Sequence, residues 1–174
     1  GIYNTILRKD VVTRNNIKDT MILESIVKFI FDNIGKLVST NKIANTLGSD
    51  KRKCSVNTVK SYLSNLLDSY LVYKISRYDI KGKEYLKTGD KYYICDLGLR
   101  KYLLGVLRDY GSILENVIFL ELKRRNYEIY IGKYDDMEVD FVVKNETGIR
   151  YIQVSLSVRD EKTLAHELRP LQSI

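Results

Sequence analysis

One acidic residue inside an otherwise apolar hairpin constrains this sequence more than any other feature. Residues 138–143 read Glu-Val-Asp-Phe-Val-Val with Asp140 in the middle, and the segment 151–155 reads Tyr-Ile-Gln-Val-Ser. The polar residues 144–148 supply the reversal between two strands. A carboxylate in such a strand loses hydration unless a cation, a hydrogen-bond donor or a shifted pKa compensates it. We therefore expect Asp140 and Gln153 to point the same way and to line a small pocket rich in oxygen atoms.

The first half of the sequence carries the pattern of short amphipathic helices. Apolar residues recur at helical spacing from Asp19 to Gly35, and Ser39 can cap a shorter helix that ends at Gly48. A third helix is expected to begin at Ser55, which is a good N-cap residue. Three helices of this size, the last with a small polar outer face, predict a helix-turn-helix. The buried face of the third helix should consist of Val56, Val59, Leu63, Leu66 and Tyr70.

Two segments with strand character follow the helices. Residues 71–78 and 91–95 are separated by a loop rich in Lys and Gly, which is typical of the hairpin of a winged helix. We therefore predict a winged helix-turn-helix over residues 19–95, whose third helix and hairpin tip approach a phosphate backbone. The third helix lacks Arg, the commonest reader of bases, which disfavours strong sequence specificity. The candidate nucleic-acid-binding residues are Lys51, Arg52, Lys53, Asn57, Thr58, Lys60, Ser61, Lys81, Lys83 and Lys87.

The net charge of +7 is concentrated in the same half of the chain. Residues 1–88 contain 16 Lys and Arg against 8 Asp and Glu, whereas residues 89–174 contain 13 against 14. A basic half beside a neutral half favours contact with a polyanion. Two other interpretations stay open, in which the lysines only keep the chain in solution or the winged helix docks onto a protein. The 14 Tyr residues are compatible with base stacking and equally with packing in strands.

The second half of the sequence alternates helices and strands. This order predicts a separate α/β domain with a small mixed sheet over residues 96–174, truncated before its final strand. Residues 1–18 show no clean period, and we expect them to continue a helix from a missing upstream module. Outside the hairpin, the expected elements are helices at 97–107, 112–125 and 159–167 and a strand at 127–131.

The hairpin and the helix before it resemble the core of the PD-(D/E)xK nuclease superfamily, which has a restriction-endonuclease-like fold. In that family a helix carries Glu, a hairpin carries Asp, and a strand carries (D/E)-x-K. Here Glu115, Asp140 and the triplet that begins at Gln153 stand in the same order. The resemblance implies a Mg²⁺ site formed by Glu115, Asp140 and Gln153, at which water attacks a phosphodiester.

The sequence departs from this family at two positions. Gln153 stands in place of a metal-binding acid, and Ser155 stands in place of the catalytic lysine. A Gln carbonyl brings no charge to Mg²⁺, and the lost lysine removes the group that stabilises developing charge. We therefore expect vestigial site residues without catalysis, unless Lys133 or Lys144 supplies an ammonium from a neighbouring strand.

Over nearly its whole length, the sequence is similar to the C-terminal region of a family of prokaryotic AAA+ ATPases. In that family a domain of unknown function with a nuclease-like fold follows the motor, so the resemblance implies an upstream ATPase module. This chain has no G-x-x-x-x-G-K-[ST] loop, and ATP is therefore expected only in the upstream module. The segments that carry the resemblance are 1–7, 41–47, 91–100, 114–117 and 138–143.

These inferences predict a non-catalytic C-terminal fragment of an AAA+-type ATPase, which binds nucleic acid or a protein partner through a basic winged helix. The alternatives are a metal-dependent nuclease with an altered motif and a module for protein interaction or self-association. The sequence has no apolar run of roughly 18 residues, which argues against a membrane partner. Cys54 and Cys95 lack metal-ligand spacing, and reduced thiols fit the cytoplasmic location that we expect.

Overall fold

The computed structural model shows a mixed α/β protein. Within the residues that it describes, the chain forms seven helices and two β-sheets. It divides into two compact units, the first made of Gly1–Lys74 with Tyr92–Leu107 and the second of Ile75–Lys91 with Arg108–Ile174. The described residues are 5–49, 54–86, 89–105 and 108–174.

The elements come in short runs of helices and of strands along the chain. The helices are α1 (Ile6–Thr13, of the wider π type), α2 (Thr20–Asp32), α3 (Thr40–Ser49), α4 (Val56–Asp68), α5 (Leu97–Leu104), α6 (Tyr110–Arg124) and α7 (Glu161–Gln172). The strands are β1 (Leu37–Val38), β2 (Val72–Ile75), β3 (Arg77–Asp79), β4 (Glu84–Tyr85), β5 (Asp90–Ile94), β6 (Glu128–Tyr134), β7 (Met137–Asn145) and β8 (Gly148–Ile152).

The helices α2, α3 and α4 bury the apolar stripes that the sequence predicts. Leu23, Ile26 and Ile30 of α2 have no exposed surface, and Leu63 and Leu66 of α4 have almost none. Burying such side chains is the main stabilisation of a small helical unit, because it removes apolar surface from water. The predicted caps Ser39 of α3 and Ser55 of α4 are confirmed as side-chain acceptors for early backbone N–H groups, and Asp19 does the same for α2.

The end of α4 departs from the predicted stripe. The helix ends at Asp68, and the side chain of Tyr70, which the sequence places on the buried face, is 71% exposed. Tyr70 has a φ of 57°, in the left-handed region that bulky residues rarely adopt. The backbone reverses direction at this point, so Tyr70 no longer follows the helical period that would have buried it.

Most of a three-stranded sheet in the order β1-β5-β2 also belongs to the first unit, whereas Asp90 and Lys91 at the start of β5 belong to the second. Gly35 takes a φ of 69° after α2, and its N–H donates to the carbonyl of Tyr92 at 3.0 Å. Arg100 of α5 is 2% exposed, and its Nε donates to the carbonyl of Phe31 at 2.7 Å. A buried guanidinium therefore satisfies a carbonyl in the last turn of α2, where no intrahelical donor remains.

The second unit is built on a five-stranded sheet in the order β4-β3-β6-β7-β8. The strand β3 runs parallel to β6, and the other neighbours run antiparallel. The predicted hairpin is present as β7 and β8, but its second strand covers Gly148–Ile152 and not the predicted residues 151–155, because the chain already reverses between Asn145 and Gly148. Phe141 and Val142 of β7 are both fully buried, so this strand is covered on both faces.

A bulge interrupts β7 at the acidic residue. Tyr130 of β6 pairs with Val142, whereas Gly132 pairs with Val139, so that Asp140 and Phe141 lie opposite the single residue between them. An extra residue of this kind shifts the alternation of side chains between the two faces. Val139 and Val142 accordingly belong to one buried cluster, whereas strict alternation along the strand would place them on opposite faces.

The compact units differ from the predicted division at residues 95 and 96. For residues 75–91 the sequence predicts the wing loop 79–90 and parts of the strands that flank it. These residues contain β3 and β4 and belong to the second unit, whereas α5 belongs to the first. The reason is that β3 pairs with β6, more than fifty residues later, and a three-residue strand has no periodicity of its own. Lys81 and Lys83 consequently lie in the second unit and not at the tip of a wing on the first.

Replacing Gly132 tests how tightly β6 and β7 pack at the bulge. A Cβ at this position would lie 2.8 Å from the Cβ of Val139, 2.8 Å from Cγ2 of Val142 and 3.0 Å from Cδ1 of Ile80. We expect Gly132→Ala to lower the free energy of unfolding by about 1–3 kcal/mol, as overpacking does. The control is Gly48→Ala in α3, where a Cβ would meet no described atom within 4 Å apart from its chain neighbours and its own helix backbone, so the substitution should be neutral or stabilising. Urea unfolding measures both; equal effects of the two substitutions would contradict the close packing.

Candidate functional site

A buried lysine lies among the acidic residues that the sequence singles out. The Nζ of Lys91 in β5 is 2.9 Å from Oε1 of Glu115 in α6 and 2.7 Å from Oε1 of Glu138 in β7. It is also 3.8 Å from Oδ1 of Asp140. Gln153, just beyond β8, accepts a hydrogen bond from the backbone N–H of Asp140 at 3.3 Å. The structure thus brings Glu115, Asp140 and Gln153 together around an ammonium.

The Lys91 ammonium is held in its charged form by its neighbours. Its side chain is only 4% exposed. Burial by itself lowers the pKa of Lys91, but the carboxylates of Glu115 and Glu138 outweigh this effect, and the pKa is raised. The cation that the carboxylates require is therefore supplied by the chain itself.

The side chain of Asp140 stabilises the end of the hairpin by accepting a backbone hydrogen bond. The ladder between β7 and β8 ends at the pair Phe141 and Ile152. Beyond it, Oδ2 of Asp140 accepts a hydrogen bond from the N–H of Val154 at 2.8 Å, while the N–H of Asp140 donates to Oε1 of Gln153. These two bonds satisfy backbone donors that the bulge and the strand end would otherwise leave unpaired.

Burial raises the pKa of Asp140 to about 6. The hydrogen bond from Val154 acts in the opposite direction, and so does Lys91, whereas the charges of Glu115 and Glu138 add to the increase. The side chain of Asp140 is 14% exposed, so loss of hydration dominates its titration. A carboxyl group with a pKa this close to neutrality is found more often at functional sites than elsewhere.

Gln153 and Ser155 occupy the two positions at which the sequence departs from the nuclease pattern. The amide Nε2 of Gln153 donates to Oε2 of Glu167 in α7 at 3.1 Å, so both ends of this side chain are used in the fold. The hydroxyl of Ser155 donates to the carbonyl of Ser157 at 3.1 Å. In the described residues, no group of three or more His, Cys, Asp or Glu side chains is arranged to hold a metal ion.

A polar cleft opens beside this cluster. Its volume is about 380 Å³. The hairpin side contributes Glu138, Asp140 and Gln153, and α7 contributes His166 and Arg169. The cleft gives solvent and small ions access to two of the carboxylates that contact Lys91.

Sequence reasoning missed Lys91 and Glu138 as members of the cluster. The signal for Lys91 was present, because it is a charged residue that leads directly into the apolar run Tyr92-Tyr93-Ile94, as Asp140 is in its own strand. Lys144, considered as a substitute for the missing lysine, is engaged elsewhere. Its Nζ lies 3.8 Å from the ring centroid of Tyr78, within a cluster of three tyrosines.

The predicted nucleic-acid-binding residues are distributed over both units. Asn57, Lys60 and Ser61 lie on the exposed face of α4. Thr58 is engaged in the helix cap, where its N–H donates to Oγ of Ser55 and the two hydroxyls lie 2.9 Å apart. Lys51, Arg52, Lys53 and Lys87 lie outside the residues that the structure describes.

The two remaining candidates belong to the second unit. Lys81 forms an exposed ion pair with Asp135 at 3.0 Å, and Lys83 is exposed. The second unit contains equal numbers of basic and acidic residues, 15 of each, whereas the first contains 14 basic and 7 acidic residues. The whole net charge of +7 is therefore carried by the first unit, which also contains α4.

Fold and site together define a mixed α/β protein in which an internal ammonium occupies a cluster of carboxylates. The chain belongs to a family defined by a domain of unknown function (DUF8612), whose model matches residues 1–110. That match includes all of α4 and Lys91, and it ends at the start of α6.

Two relatives extend the comparison to longer proteins. An uncharacterized protein of Haemophilus influenzae is 43% identical over 159 residues, which cover 91% of this chain and 40% of that protein. The uncharacterized protein MJ1544 of Methanocaldococcus jannaschii is 34% identical over 148 residues, covering 81% of this chain and 32% of that protein. The chain thus spans less than half the length of these relatives.

No solved structure matches the chain significantly. Among the described residues, no helix combines the length and the apolar character needed to cross a membrane.

Replacing Lys91 tests its role as the internal cation of the cluster. We expect Lys91→Met to lower the free energy of unfolding by about 3–5 kcal/mol, because it leaves buried carboxylates without their counter-charge. The matched control is Lys81→Met, which removes an ammonium from an exposed ion pair and should have little effect. Urea unfolding measures both variants. Similar stability of the two would show that Lys91 does not hold the cluster together.

The titration of Asp140 predicts a pH dependence of stability. Its pKa is about 6 in the folded chain and close to 3.9 in an unfolded one, so between these values the folded state binds more protons. The free energy of unfolding should therefore fall as pH rises from about 4 to 6, by at most about 3 kcal/mol from this group. Asp140→Asn keeps an acceptor for Val154 and should flatten the curve. Urea unfolding at several pH values compares the two proteins; parallel curves would exclude this assignment.

Proposed function

We propose that this chain is a non-catalytic nucleic-acid-binding module of a longer polypeptide. The first unit makes the contact with nucleic acid, and the second is a nuclease-like α/β unit that does not cleave it. The observation that carries the second part is the position of Lys91, whose ammonium lies within 3.8 Å of three carboxylates.

The contacts of the cluster support a structural role over a catalytic one. An ammonium at 2.7 Å and 2.9 Å from two carboxylates competes with a divalent cation for the same oxygen atoms. One oxygen of Asp140 is engaged by Val154, and the amide of Gln153 bridges the hairpin and α7. If these oxygen atoms were to bind a catalytic metal ion, they would have to lose contacts that stabilise the fold.

The charge of the first unit supports contact with a polyanion. Its 14 basic residues against 7 acidic ones create a positive field that attracts phosphate. The helix α4 follows α2 and α3 and is followed by β2, an order compatible with a winged helix-turn-helix. Its exposed face carries Asn57, Lys60 and Ser61, which are short or flexible enough to approach a sugar-phosphate backbone closely.

The longer polypeptide is proposed to be an ATPase of the AAA+ type. Two observations support this proposal. Several segments, 1–7, 41–47, 91–100, 114–117 and 138–143, resemble the C-terminal region of AAA+ ATPases, and the relatives are more than twice as long as the matched region. In such a protein the ATP and its Mg²⁺ would belong to the motor, and this chain would contribute the contact with nucleic acid. A protein partner in place of nucleic acid is an outcome of the experiment below.

Binding to duplex DNA tests the proposed function. We expect fluorescence anisotropy to show binding at about 50 mM salt that weakens steeply by about 200 mM, because phosphate contacts release counterions. Lys60→Glu on α4 should weaken binding about fivefold or more. The matched control is Lys162→Glu on α7, an exposed lysine in the neutral unit, which should have a smaller effect. Absence of binding at low salt would exclude nucleic acid and leave a protein partner as the ligand.

A metal-dependent nuclease is the second candidate, and the same lysine favours it. Lys91 supplies an ammonium next to Glu115 and Asp140, which is the group that Ser155 lacks. The raised pKa of Asp140 is also compatible with a reactive site. Incubation with millimolar Mg²⁺ or Mn²⁺ should leave single- and double-stranded DNA and RNA intact. Cleavage that disappears in Asp140→Asn would establish the nuclease and overturn the non-catalytic assignment.

A further inference from the structure

A second polar cleft lies in the first unit, where the segment after α1 meets the end of α4. Its volume is about 500 Å³, and its lining includes Arg14, Asn15, Asn65, Asp68 and Tyr70. Clefts that hold small ligands have volumes of about 300–1,000 Å³. This cleft belongs to the unit that carries the net positive charge, and it lies at the end of α4, C-terminal to Asn57, Lys60 and Ser61 of the same helix.

The aromatic wall of the cleft is Tyr70. Its side chain is 71% exposed, and its backbone adopts a φ of 57°. The reversal is fixed by two hydrogen bonds, from the N–H of Ser69 to the carbonyl of Asn65 at 3.1 Å and from the N–H of Tyr70 to the carbonyl of Leu67 at 3.0 Å. A bulky residue held in this conformation is uncommon, and such positions occur preferentially at functional sites. Here the conformation turns an aromatic ring away from the core and toward solvent.

Three polar side chains that line the cleft have no hydrogen-bond or ion-pair partner within the described part of the chain. The side chains of Arg14, Asn65 and Asp68 make no hydrogen bond or ion pair with other described residues. Asn15 is anchored, because its Nδ2 donates to the carbonyl of Val11 at 2.9 Å. A guanidinium, an amide and a carboxylate therefore stand beside one exposed ring with their hydrogen-bonding capacity available.

We infer that this cleft receives one unstacked nucleotide of a single strand, an inference that rests on the proposed nucleic-acid role. The ring of Tyr70 offers a face on which a base stacks, and Arg14 offers a cation for the adjoining phosphate. The Asn65 amide supplies a donor and an acceptor for the edge of the base, and the Asp68 carboxylate supplies only acceptors. Paired bases in a duplex cannot present their edges in this way, so the ligand is single-stranded.

The carboxylate of Asp68 also predicts which base fits best. Two acceptor oxygens side by side match two neighbouring donors on one base edge, and guanine presents such a pair. Thymine presents one donor between two carbonyl oxygens, which a carboxylate repels. A preference for a guanine over a thymine at one position is therefore expected from Asp68.

The experiment compares single-stranded and duplex oligonucleotides by fluorescence anisotropy at low salt, with the 174-residue chain. The single strands are oligo-dT with and without one central dG, together with the corresponding RNA. We expect Tyr70→Ala to weaken single-strand binding about tenfold, as loss of one stacked base does, and to leave duplex binding unchanged. Asp68→Asn should reduce the preference for the strand that contains dG. The matched control is Tyr102→Ala, an exposed tyrosine of α5 in the same unit, which should change neither affinity.

The outcomes separate this inference from the proposed function. Single-strand binding that is equal in Tyr70→Ala and wild type, with duplex binding still sensitive to Lys60→Glu, overturns the nucleotide cleft alone. Equal losses in Tyr70→Ala and Tyr102→Ala also overturn it, because they would show that the cleft is not the point of contact. Failure of every oligonucleotide to bind overturns both. Melting curves of each variant establish that the loss does not come from unfolding.

Discussion

The second unit depends on how a lysine and three carboxylates share a largely buried space. Any one of these charges would be costly to bury alone, and the penalty is offset only when opposite charges approach within hydrogen-bonding distance. The ammonium of Lys91 achieves this with one carboxylate oxygen of Glu115 and one of Glu138, each less than 3 Å away. The four groups come from β5, α6 and β7, so that three distant parts of the sequence are held at one place. A site of this kind fixes relative positions more than it adds stability.

Asp140 shows how one residue serves both the fold and the electrostatics of the site. The bulge at Asp140 and Phe141 interrupts pairing with β6, and the side chain then completes the pairing with β8 through Val154. Because that carboxylate is nearly buried, its pKa rises toward neutrality even though a lysine lies nearby. The same residue pattern that resembles a nuclease centre thus has a structural explanation that needs no metal. In a chain derived from a nuclease, the raised pKa of Asp140 would be a property of the reactive site that persists after a carboxylate oxygen has become an acceptor for a backbone N–H group.

The two units differ in charge, and this difference assigns them different roles in the proposed function. All of the net positive charge lies on the unit that contains α4 and the Tyr70 cleft. The exposed polar face of α4 is suited to a regular phosphate backbone, whereas the cleft is suited to a base that has left its stack.

The sequence by itself determined the local elements and three members of the site, namely Glu115, Asp140 and Gln153. Periodicity located α2, α3, α4 and the β7–β8 hairpin, and the cap residues Ser39 and Ser55 located helix starts, because these signals act within a few residues. It also paired Asp140 with Gln153, since a polar residue in an apolar strand needs a partner. The tertiary structure alone decided that β3 joins the sheet of the second unit, that Tyr70 turns outward, and that Lys91 supplies the cation. Each of these three outcomes depends either on contacts between distant segments or on a single backbone angle. Neither kind of cause produces a periodic pattern in the sequence.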